Sequence, residues 1–386
     1  MLTCLQKNTF FAKIRQEFLY PDTRSLSDNN QSMNPAFSLY LDALRFLAAI
    51  AVYLSHIASS PFTQNVIWWR LSLYGDVAVI IFFILSGYVI SYVTSSRERC
   101  AKDYFSARAA RLYSVVGIGL LLTFMLDSAG IWLNPDFYTI QKILWKPESL
   151  AGYLSSLFFV NEFQIFGFNG IAPGTNGPYW SLSFEATYYV IAGLFLFAKP
   201  QLSIPTTLII LMIAGKTIAA LLPVWVIGFM LYRIKPLAIS AKLSAYLGIA
   251  SAFVILAAPT ISAHLPSSNL LISLPWGRSP FNRNLVEDYL VTIAFATHLV
   301  CVRQLLQKPI SITLQLRNAI RWLGTLTFPL YCFHYPIICF LAAVSPWENT
   351  TISDLLFICF FSVVLIVALT PICEQLKRLI RLKIST

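Results

Sequence analysis

The stretch LDALRFLAAIAVYLSHI, from Leu41 to Ile57, is apolar enough to lie inside a lipid bilayer, yet it carries Asp42, Arg45 and His56. An α-helix advances about 100° and 1.5 Å per residue, so Arg45 and His56 share one face of the predicted helix, about 16 Å apart along its axis. Asp42, one turn before Arg45, belongs to the same stripe. Ionisable groups at membrane depth face protein or water, so the stretch predicts a membrane helix with a functional polar face. The alternative is an Asp42–Arg45 pair that only helps to pack the bundle.

The composition of the whole chain indicates a membrane protein. The 386 residues are 57% hydrophobic and only 12% charged, with a mean hydropathy of +0.67. The apolar residues come in runs of roughly 17–25, each long enough to cross the hydrocarbon core of a bilayer. These runs are too long for the alternating segments of a membrane β-barrel. The sequence therefore predicts an all-α, polytopic integral membrane protein.

Ten membrane-spanning helices are predicted from the apolar runs. They cover 39–58, 75–95, 112–132, 181–198, 203–220, 221–234, 243–261, 287–306, 322–343 and 352–373. The pair 203–220 and 221–234 is short, and we interpret it as a tight hairpin broken near Pro223. The apolar segment 150–166 is interpreted as re-entrant or interfacial.

The net charge of +11 is explained by topology rather than by nucleic-acid binding, because the basic residues lie in short segments between apolar runs. Five basic clusters fall on one side of the membrane when the ten spans are threaded in order. Loop 263–286, which carries Arg278 and Arg283, is an exception on the other side. Both termini are therefore predicted to be cytoplasmic. The predicted organisation is an N-terminal cytoplasmic segment 1–37, a transmembrane domain 38–376 and a cytoplasmic tail 377–386.

Further polar side chains lie at membrane depth in the stretch NGPYWSLSFEATYY. It brings Trp180, Ser181 and Glu185 into the fourth predicted span, and Tyr188 follows at helical spacing. We place Glu185 about one turn inside the outer surface. Trp180 has an alternative interpretation as a residue of the interfacial aromatic belt.

The stretch TFPLYCFHYPI places His334 in the middle of a predicted span. Pro336 follows two residues later and frees one backbone carbonyl of that helix, because proline has no N–H. His334 is a candidate site residue. A core histidine that is satisfied by hydrogen bonds is the alternative.

Arg108 and Arg111 lie one helical turn apart in the stretch DYFSARAARLYSVV, at the predicted cytoplasmic mouth of the third span. They could anchor the helix at the membrane surface. They could also bind a phosphate, since guanidinium groups bind phosphate in a bidentate manner. The pattern alone leaves both interpretations open.

Several classes of site find no support in the sequence. The seven cysteines include no C-x-x-C pair, so neither a disulfide framework nor a zinc site is indicated. Four dispersed histidines do not predict a metal centre. No G-x-S-x-G turn indicates a serine hydrolase. A transporter for a proton-coupled solute or a lipid-linked sugar remains the alternative from another functional class, although no pair of similar halves is found.

Five stretches together resemble the acyltransferase family 3 membrane proteins, which acylate bacterial surface polysaccharides and other acceptors. They are LDALRFLAAIAVYLSH, IIFFILSGYVIS, RAAR, WSLSFE and FPLYCFHYP, and they run from Leu41 to Pro336. Two positions depart from the pattern. Ile80 stands where many members have an acid before the FF pair, and Ser114 stands where many have proline after the arginines.

The resemblance implies a bacterial inner-membrane enzyme that takes an acyl group from acyl-CoA, usually acetyl-CoA, to a hydroxyl of a saccharide acceptor. It implies no permanently bound cofactor. It also favours phosphate binding by Arg45, Arg108 and Arg111 from the cytoplasm, with the thioester reaching along the first helix toward His56.

A sugar hydroxyl needs a base near its proton, and imidazole suits this role near neutral pH. His56 is therefore the candidate general base, or a transient acyl carrier. Glu185 is expected to orient an imidazole or the acceptor hydroxyl. Ser181, Tyr188 or Tyr189 are candidate donors for the oxyanion, and Trp180 and His334 are further candidate substrate contacts.

Overall fold

A computed structural model of the chain describes residues 33–59, 62–63, 66–140, 150–164, 171–234, 239–264, 284–308 and 310–385. Most of the predicted N-terminal segment 1–37 and of the outer loop 263–286 lies outside these residues, as does the end of segment 150–166. The fold is described from the remainder.

The described residues form helices and contain no β-strand. The twelve α-helices of this part of the chain are α1 Pro35–Ile57, α2 Tyr74–Ser96, α3 Ala101–Leu133, α4 Pro135–Ile140, α5 Leu150–Leu157, α6 Trp180–Phe197, α7 Pro200–Ala214, α8 Lys216–Arg233, α9 Ala241–Ser262, α10 Leu285–Leu305, α11 Leu314–Val344 and α12 Ile352–Ser385. Nine helices in the described ranges are long and apolar enough to span a membrane, and α7 is a shorter apolar helix. The predicted all-α polytopic class is confirmed.

The predicted break between 220 and 221 is wrong. The chain breaks at Gly215 instead, whose φ of 98° is accessible to glycine and strained for other residues. Pro223 lies inside α8. The turn before it is held from outside, because Tyr188 donates to the Ile218 carbonyl at 2.8 Å and Tyr289 donates to the Ala220 carbonyl at 2.6 Å. Neighbouring helices thus support a proline within a membrane helix.

Helix α5 has eight residues and is about 12 Å long, too short to span the bilayer. Helix α12 runs through the predicted end of the last span and through the tail 377–385 as one helix. Helix α3 begins at Ala101, well before the predicted start of its span, so Arg108 and Arg111 both lie within it.

Helix α11 lies at the centre of the part of the bundle that holds the predicted site residues. It packs against α1, α3 and α12, while α2 packs between α1 and α8, and α9 pairs with α10. Helices α2 and α8 meet closely at two glycines, since a Cβ on Gly87 would collide with the Trp225 carbonyl and one on Gly228 with the Ile84 carbonyl. Small residues permit such close packing in membranes. Gly87 of the LSG motif therefore has a packing role.

Candidate active site

An open pocket lies where α1, α2, α3, α6 and α11 meet. Its polar lining includes Arg45, Ser86, Arg111, Ser181, Glu185 and Tyr331, and the other lining residues are apolar except for Thr327. Four of these six residues were singled out from the sequence. The six residues come from five different helices, so the fold concentrates residues that are far apart in the chain.

Glu185 lies at the centre of the polar contacts in the pocket. Its carboxylate accepts a hydrogen bond from the Tyr189 hydroxyl and one from Ser86 Oγ at 3.3 Å. Its Oε1 also lies 3.5 Å from Arg111 Nη2. These contacts in the described structure hold Arg111 rather than an imidazole.

Arg45 and Arg111, which both line the pocket, keep unused hydrogen-bonding capacity. Arg45 Nη2 and Arg111 Nε are buried and have no hydrogen-bond partner among the described residues. Arg45 Nη1 lies 3.9 Å from Asp42 Oδ1, but the other oxygen of Asp42 is paired with Arg321. Buried guanidinium N–H groups are costly unless they are paired. The two side chains therefore present donors and positive charge suited to an anionic group.

Arg108 has different surroundings from Arg111, although the two residues are one turn apart. Arg108 Nη2 lies 2.7 Å from Glu98 Oε2, and the guanidinium stacks on Tyr104 at 4.7 Å. Burial raises the pKa of the Glu98 carboxyl above its ordinary value, and Arg108 opposes that rise. Arg108 is not among the residues that line the pocket. Arg108 Nη1 is also buried without a hydrogen-bond partner among the described residues, but the charge of Arg108 is paired with Glu98 in the loop between α2 and α3.

The structure brings His56 and His334 together from opposite ends of the chain. Their ring centres are 5.1 Å apart, and the ring of Tyr335 packs edge-on against His56 at 4.8 Å. His334 is fully buried, whereas His56 is partly exposed. His56 therefore forms the accessible side of the pair.

The histidine pair adjoins the pocket through Tyr331. This residue lines the pocket, and its ring centre lies 6.2 Å from that of His334. Helix α1 runs unbroken from Pro35 to Ile57, so Arg45 and His56 share one face as predicted, about 16 Å apart along the helix. One helix thus connects the cationic end of the site to the imidazoles.

Two further predicted residues have packing roles in this structure. Trp180 packs edge-on against Phe83 and Phe184. Tyr188 is fully buried and bonds to α8 through the Ile218 carbonyl. Neither side chain lines the pocket.

The segment before α6 is clamped inside the bundle at Thr175. Asp127 of α3 accepts hydrogen bonds from the Thr175 backbone N–H at 2.8 Å and from its hydroxyl at 2.7 Å. Gly174 has a φ of 57°, and a Cβ there would collide with the Asp127 carboxylate. Only glycine allows the chain to approach the acid this closely. The clamp brings the start of α6 to the depth of the pocket.

Asn176 joins this segment to the helix that carries His334. Its Nδ2 donates to the Cys332 carbonyl at 2.9 Å and to Thr123 Oγ1 at 3.1 Å. Cys332 is four residues before Pro336, so its carbonyl is the one that the missing proline N–H leaves free. The side chain of Asn176 thus satisfies the carbonyl that the sequence predicted to be free.

Asn176→Ala is expected to lower the free energy of unfolding by about 1–3 kcal/mol, because it leaves the Cys332 carbonyl buried without a donor. Thr370→Ala is the matched control, since the Thr370 hydroxyl is buried and bonds only to the Ile366 carbonyl of its own helix. Unfolding of both variants in mixed micelles, followed by circular dichroism, makes the comparison. Equal stability of the two variants would contradict the role given to Asn176.

Sequence reasoning missed Asp127, Asn176, Tyr331 and Glu98. Asp127 carried a usable signal, because it is an acid inside the predicted span 112–132, and such residues have partners or functions. The others carried none, since their roles depend on contacts between distant segments.

Comparison with known proteins agrees with the resemblance seen in the motifs. The family described as an acyltransferase domain matches residues 38–371. Acyltransferase MdmB of Streptomyces mycarofaciens is 29% identical over 164 residues, which cover 39% of this chain and 37% of that protein. An O-acetyl transferase of Shigella phage Sf6 is 29% identical over 154 residues, which cover 39% of this chain and 44% of that protein.

The matched part is therefore less than half the length of either relative. No solved structure matches the chain. The family match, in contrast, extends from the start of α1 to near Pro371 in α12 and includes every residue of the pocket and both imidazoles of the histidine pair. The chain belongs to the acyltransferase family 3 of membrane proteins.

Proposed function

We propose that the protein is a membrane-bound O-acyltransferase that moves an acyl group, acetyl in the first instance, from acyl-CoA to a hydroxyl of an envelope saccharide. Family membership and the name of the phage relative support the reaction class. The observation that carries the proposal is a pocket lined by arginines with unpartnered N–H groups, which adjoins a pair of imidazoles through Tyr331.

The donor is proposed to bind with its phosphates at Arg45 and Arg111. Both guanidiniums line the pocket and have buried N–H groups without a partner in the described structure. A phosphate accepts charge-assisted hydrogen bonds from such groups. Arg108, predicted as a third phosphate ligand, is assigned instead to hold the α2–α3 loop through Glu98.

The geometry of α1 suits a donor with a long arm. The distance of about 16 Å between Arg45 and His56 along the helix is comparable to the length of the pantetheine arm of CoA. A donor held at the arginines would present its thioester near the histidine pair. Glu185 is assigned to positioning Arg111, which it contacts.

The reaction is proposed to be attack of the acceptor hydroxyl on the thioester carbonyl. His56 takes the hydroxyl proton as general base while the new C–O bond forms. Collapse of the tetrahedral intermediate breaks the C–S bond, and the CoA thiolate takes the proton back from His56. Ser181, whose hydroxyl lies 2.6 Å from that of Tyr331, is the candidate donor to the oxyanion. Tyr331 itself donates to the Pro178 carbonyl at 3.1 Å.

The experiment uses purified protein in detergent with radiolabelled acetyl-CoA and envelope saccharides from a strain that lacks the gene. We expect label in the saccharide fraction and an equal release of CoA thiol. His298→Ala serves as a control, because His298 bonds to Tyr40 and Gly248 outside the site. Absence of both label and thiol, together with uptake of solute by reconstituted vesicles, would favour the transporter alternative.

The protein is proposed to lie in the bacterial cytoplasmic membrane with both termini in the cytoplasm. Nine crossings would leave the termini on opposite sides, so this topology requires α7 to cross as a tenth helix. At 15 residues it is about 22 Å long, and local thinning of the bilayer can accommodate that length. The basic clusters on the cytoplasmic side then include both ends of the chain.

Reporter fusions after Arg233, within 263–286 and after Lys383 test this topology. We expect cytoplasmic, extracytoplasmic and cytoplasmic signals in that order. An extracytoplasmic signal after Lys383 would contradict the ten-helix topology and would indicate that α7 does not cross the membrane.

A further inference from the structure

His334 has one ring nitrogen in use and one without a partner. Its Nδ1 lies 2.9 Å from the carbonyl oxygens of both Leu330 and Tyr331. A carbonyl can only accept a hydrogen bond, so Nδ1 carries the proton, and Nε2 of the neutral ring has a free lone pair. Nε2 is buried and has no hydrogen-bond partner among the described residues. A buried polar atom without a partner requires an explanation.

His298 provides an internal comparison for a histidine with a packing role. Its Nε2 lies 2.5 Å from the Tyr40 hydroxyl, and its Nδ1 lies 2.9 Å from the Gly248 carbonyl. Both nitrogens of His298 are thus satisfied by the fold. His334 differs in its second nitrogen, so packing alone does not account for it.

The aromatic ring whose centre lies nearest to that of His334 in the described structure belongs to His56. Among the aromatic rings around His334, those of Tyr53, Tyr331 and Tyr335 lie at 6.2–6.3 Å, whereas that of His56 lies at 5.1 Å. Two imidazoles joined by an N–H···N hydrogen bond have ring centres roughly 5 Å apart, given a donor–acceptor distance of about 2.9 Å. The observed separation of the two ring centres therefore matches that of a hydrogen-bonded pair.

We propose that His334 is a positioning residue that accepts a hydrogen bond from His56 and so fixes the tautomer of the catalytic base. This inference rests on the proposed function and deepens it. His56 donates one N–H to His334 Nε2, which leaves the lone pair of its other nitrogen for the acceptor hydroxyl. An orienting group behind the base is a general requirement of such catalysis.

The proton path balances within this arrangement. The acceptor O–H proton moves to the free nitrogen of His56 as the C–O bond forms, and it leaves with the CoA thiolate when the C–S bond breaks. His334 stays neutral throughout. Its Nδ1–H remains bonded to the carbonyls of Leu330 and Tyr331, and the Asn176 bond to the Cys332 carbonyl holds the adjacent turn of α11.

Two substitutions at one position separate this role from packing. His334→Gln can donate from its amide nitrogen to the helix carbonyls and accept from His56 through its amide oxygen, so we expect kcat within about tenfold of wild type. His334→Leu fills similar space without an acceptor, and we expect kcat to fall by about 10²–10⁴-fold with unchanged affinity for acetyl-CoA. Retention of kcat by His334→Leu would overturn the proposal.

A double-mutant cycle distinguishes a positioning role from a packing role by comparing the effect of His334→Leu on turnover with and without His56. If His334 acts through His56, His334→Leu is expected to change residual turnover by less than about twofold in a His56→Gln background. Additive losses in the two backgrounds would overturn the positioning role. Absence of transfer by the wild-type protein is a different result, which would contradict the proposed function itself.

Nitrogen NMR of histidine-labelled protein decides the question if His334→Leu does not fold. In the wild-type protein we expect the His334 Nε2 resonance to have the shift of a hydrogen-bonded acceptor. That shift should move to the value of a free lone pair in His56→Leu, because leucine has no N–H to donate. A resonance that does not change between the two proteins would refute the bond.

Discussion

His56→Ala is expected to lower acyl transfer by about 10²–10⁴-fold, the usual contribution of a general base, while acetyl-CoA still binds. The reason is spatial, because the guanidiniums of Arg45 and Arg111 lie in the pocket, whereas His56 lies three turns further along α1. Removing the imidazole takes away the proton acceptor but leaves the proposed phosphate contacts. Binding and transfer are to be measured on the same monodisperse preparation.

His298→Ala is the matched control for this variant. It removes a histidine with two hydrogen-bond partners, so we expect reduced thermal stability and turnover within about threefold of wild type. The opposite pattern, with turnover retained in His56→Ala and lost in His298→Ala, would rule out the role assigned to His56.

Arg111→Ala is expected to weaken acetyl-CoA binding by about 10- to 150-fold, which corresponds to loss of a charge-assisted hydrogen bond of about 1.5–3 kcal/mol. Arg45→Ala should have a similar effect, because its guanidinium lines the same pocket. Arg111→Lys should restore only part of the affinity, since lysine lacks the planar fork. Titration of the detergent-solubilised protein with acetyl-CoA measures the change.

Arg108→Ala provides the control for the donor site. Its partner Glu98 would lose the guanidinium that it contacts, so we expect a loss of stability and a much smaller loss of donor affinity than in Arg111→Ala. From the RAAR stretch, both arginines were predicted to bind phosphate, whereas the structure places only Arg111 at the pocket. The comparison of the two variants distinguishes these two assignments. Equal losses of affinity in the two variants would contradict the division of roles between them.

Several features could be predicted from the sequence of a single segment. Helix α1 and the shared face of Arg45 and His56 follow from the helical period alone, because residues eleven positions apart complete almost three turns. The freed carbonyl near His334 follows from Pro336, because proline lacks an N–H in any context. Neither inference requires knowledge of a neighbouring helix.

The position of the break between α7 and α8 was predicted less well, because two residues in that region can each end a helix. Both Gly215 and Pro223 can break a helix, and the sequence does not reveal which one will. Tyr188 and Tyr289 hold the turn before Pro223 from two other helices, so the proline remains inside α8. The chain turns between α7 and α8 at Gly215 instead, because a positive φ has little cost for glycine.

The sequence by itself determined the helical membrane class, the polar face of α1 and, through its motifs, the family. These depend on composition, period and short-range spacing, which are read along one segment at a time. Only the tertiary structure decided that His56 meets His334, that Asp127 clamps Thr175, and that Arg108 pairs with Glu98 while Arg111 faces the pocket. The physical reason is that each of these contacts depends on how side chains from separate segments are oriented as the helices pack, and the helical period places a residue on a face without naming its partner.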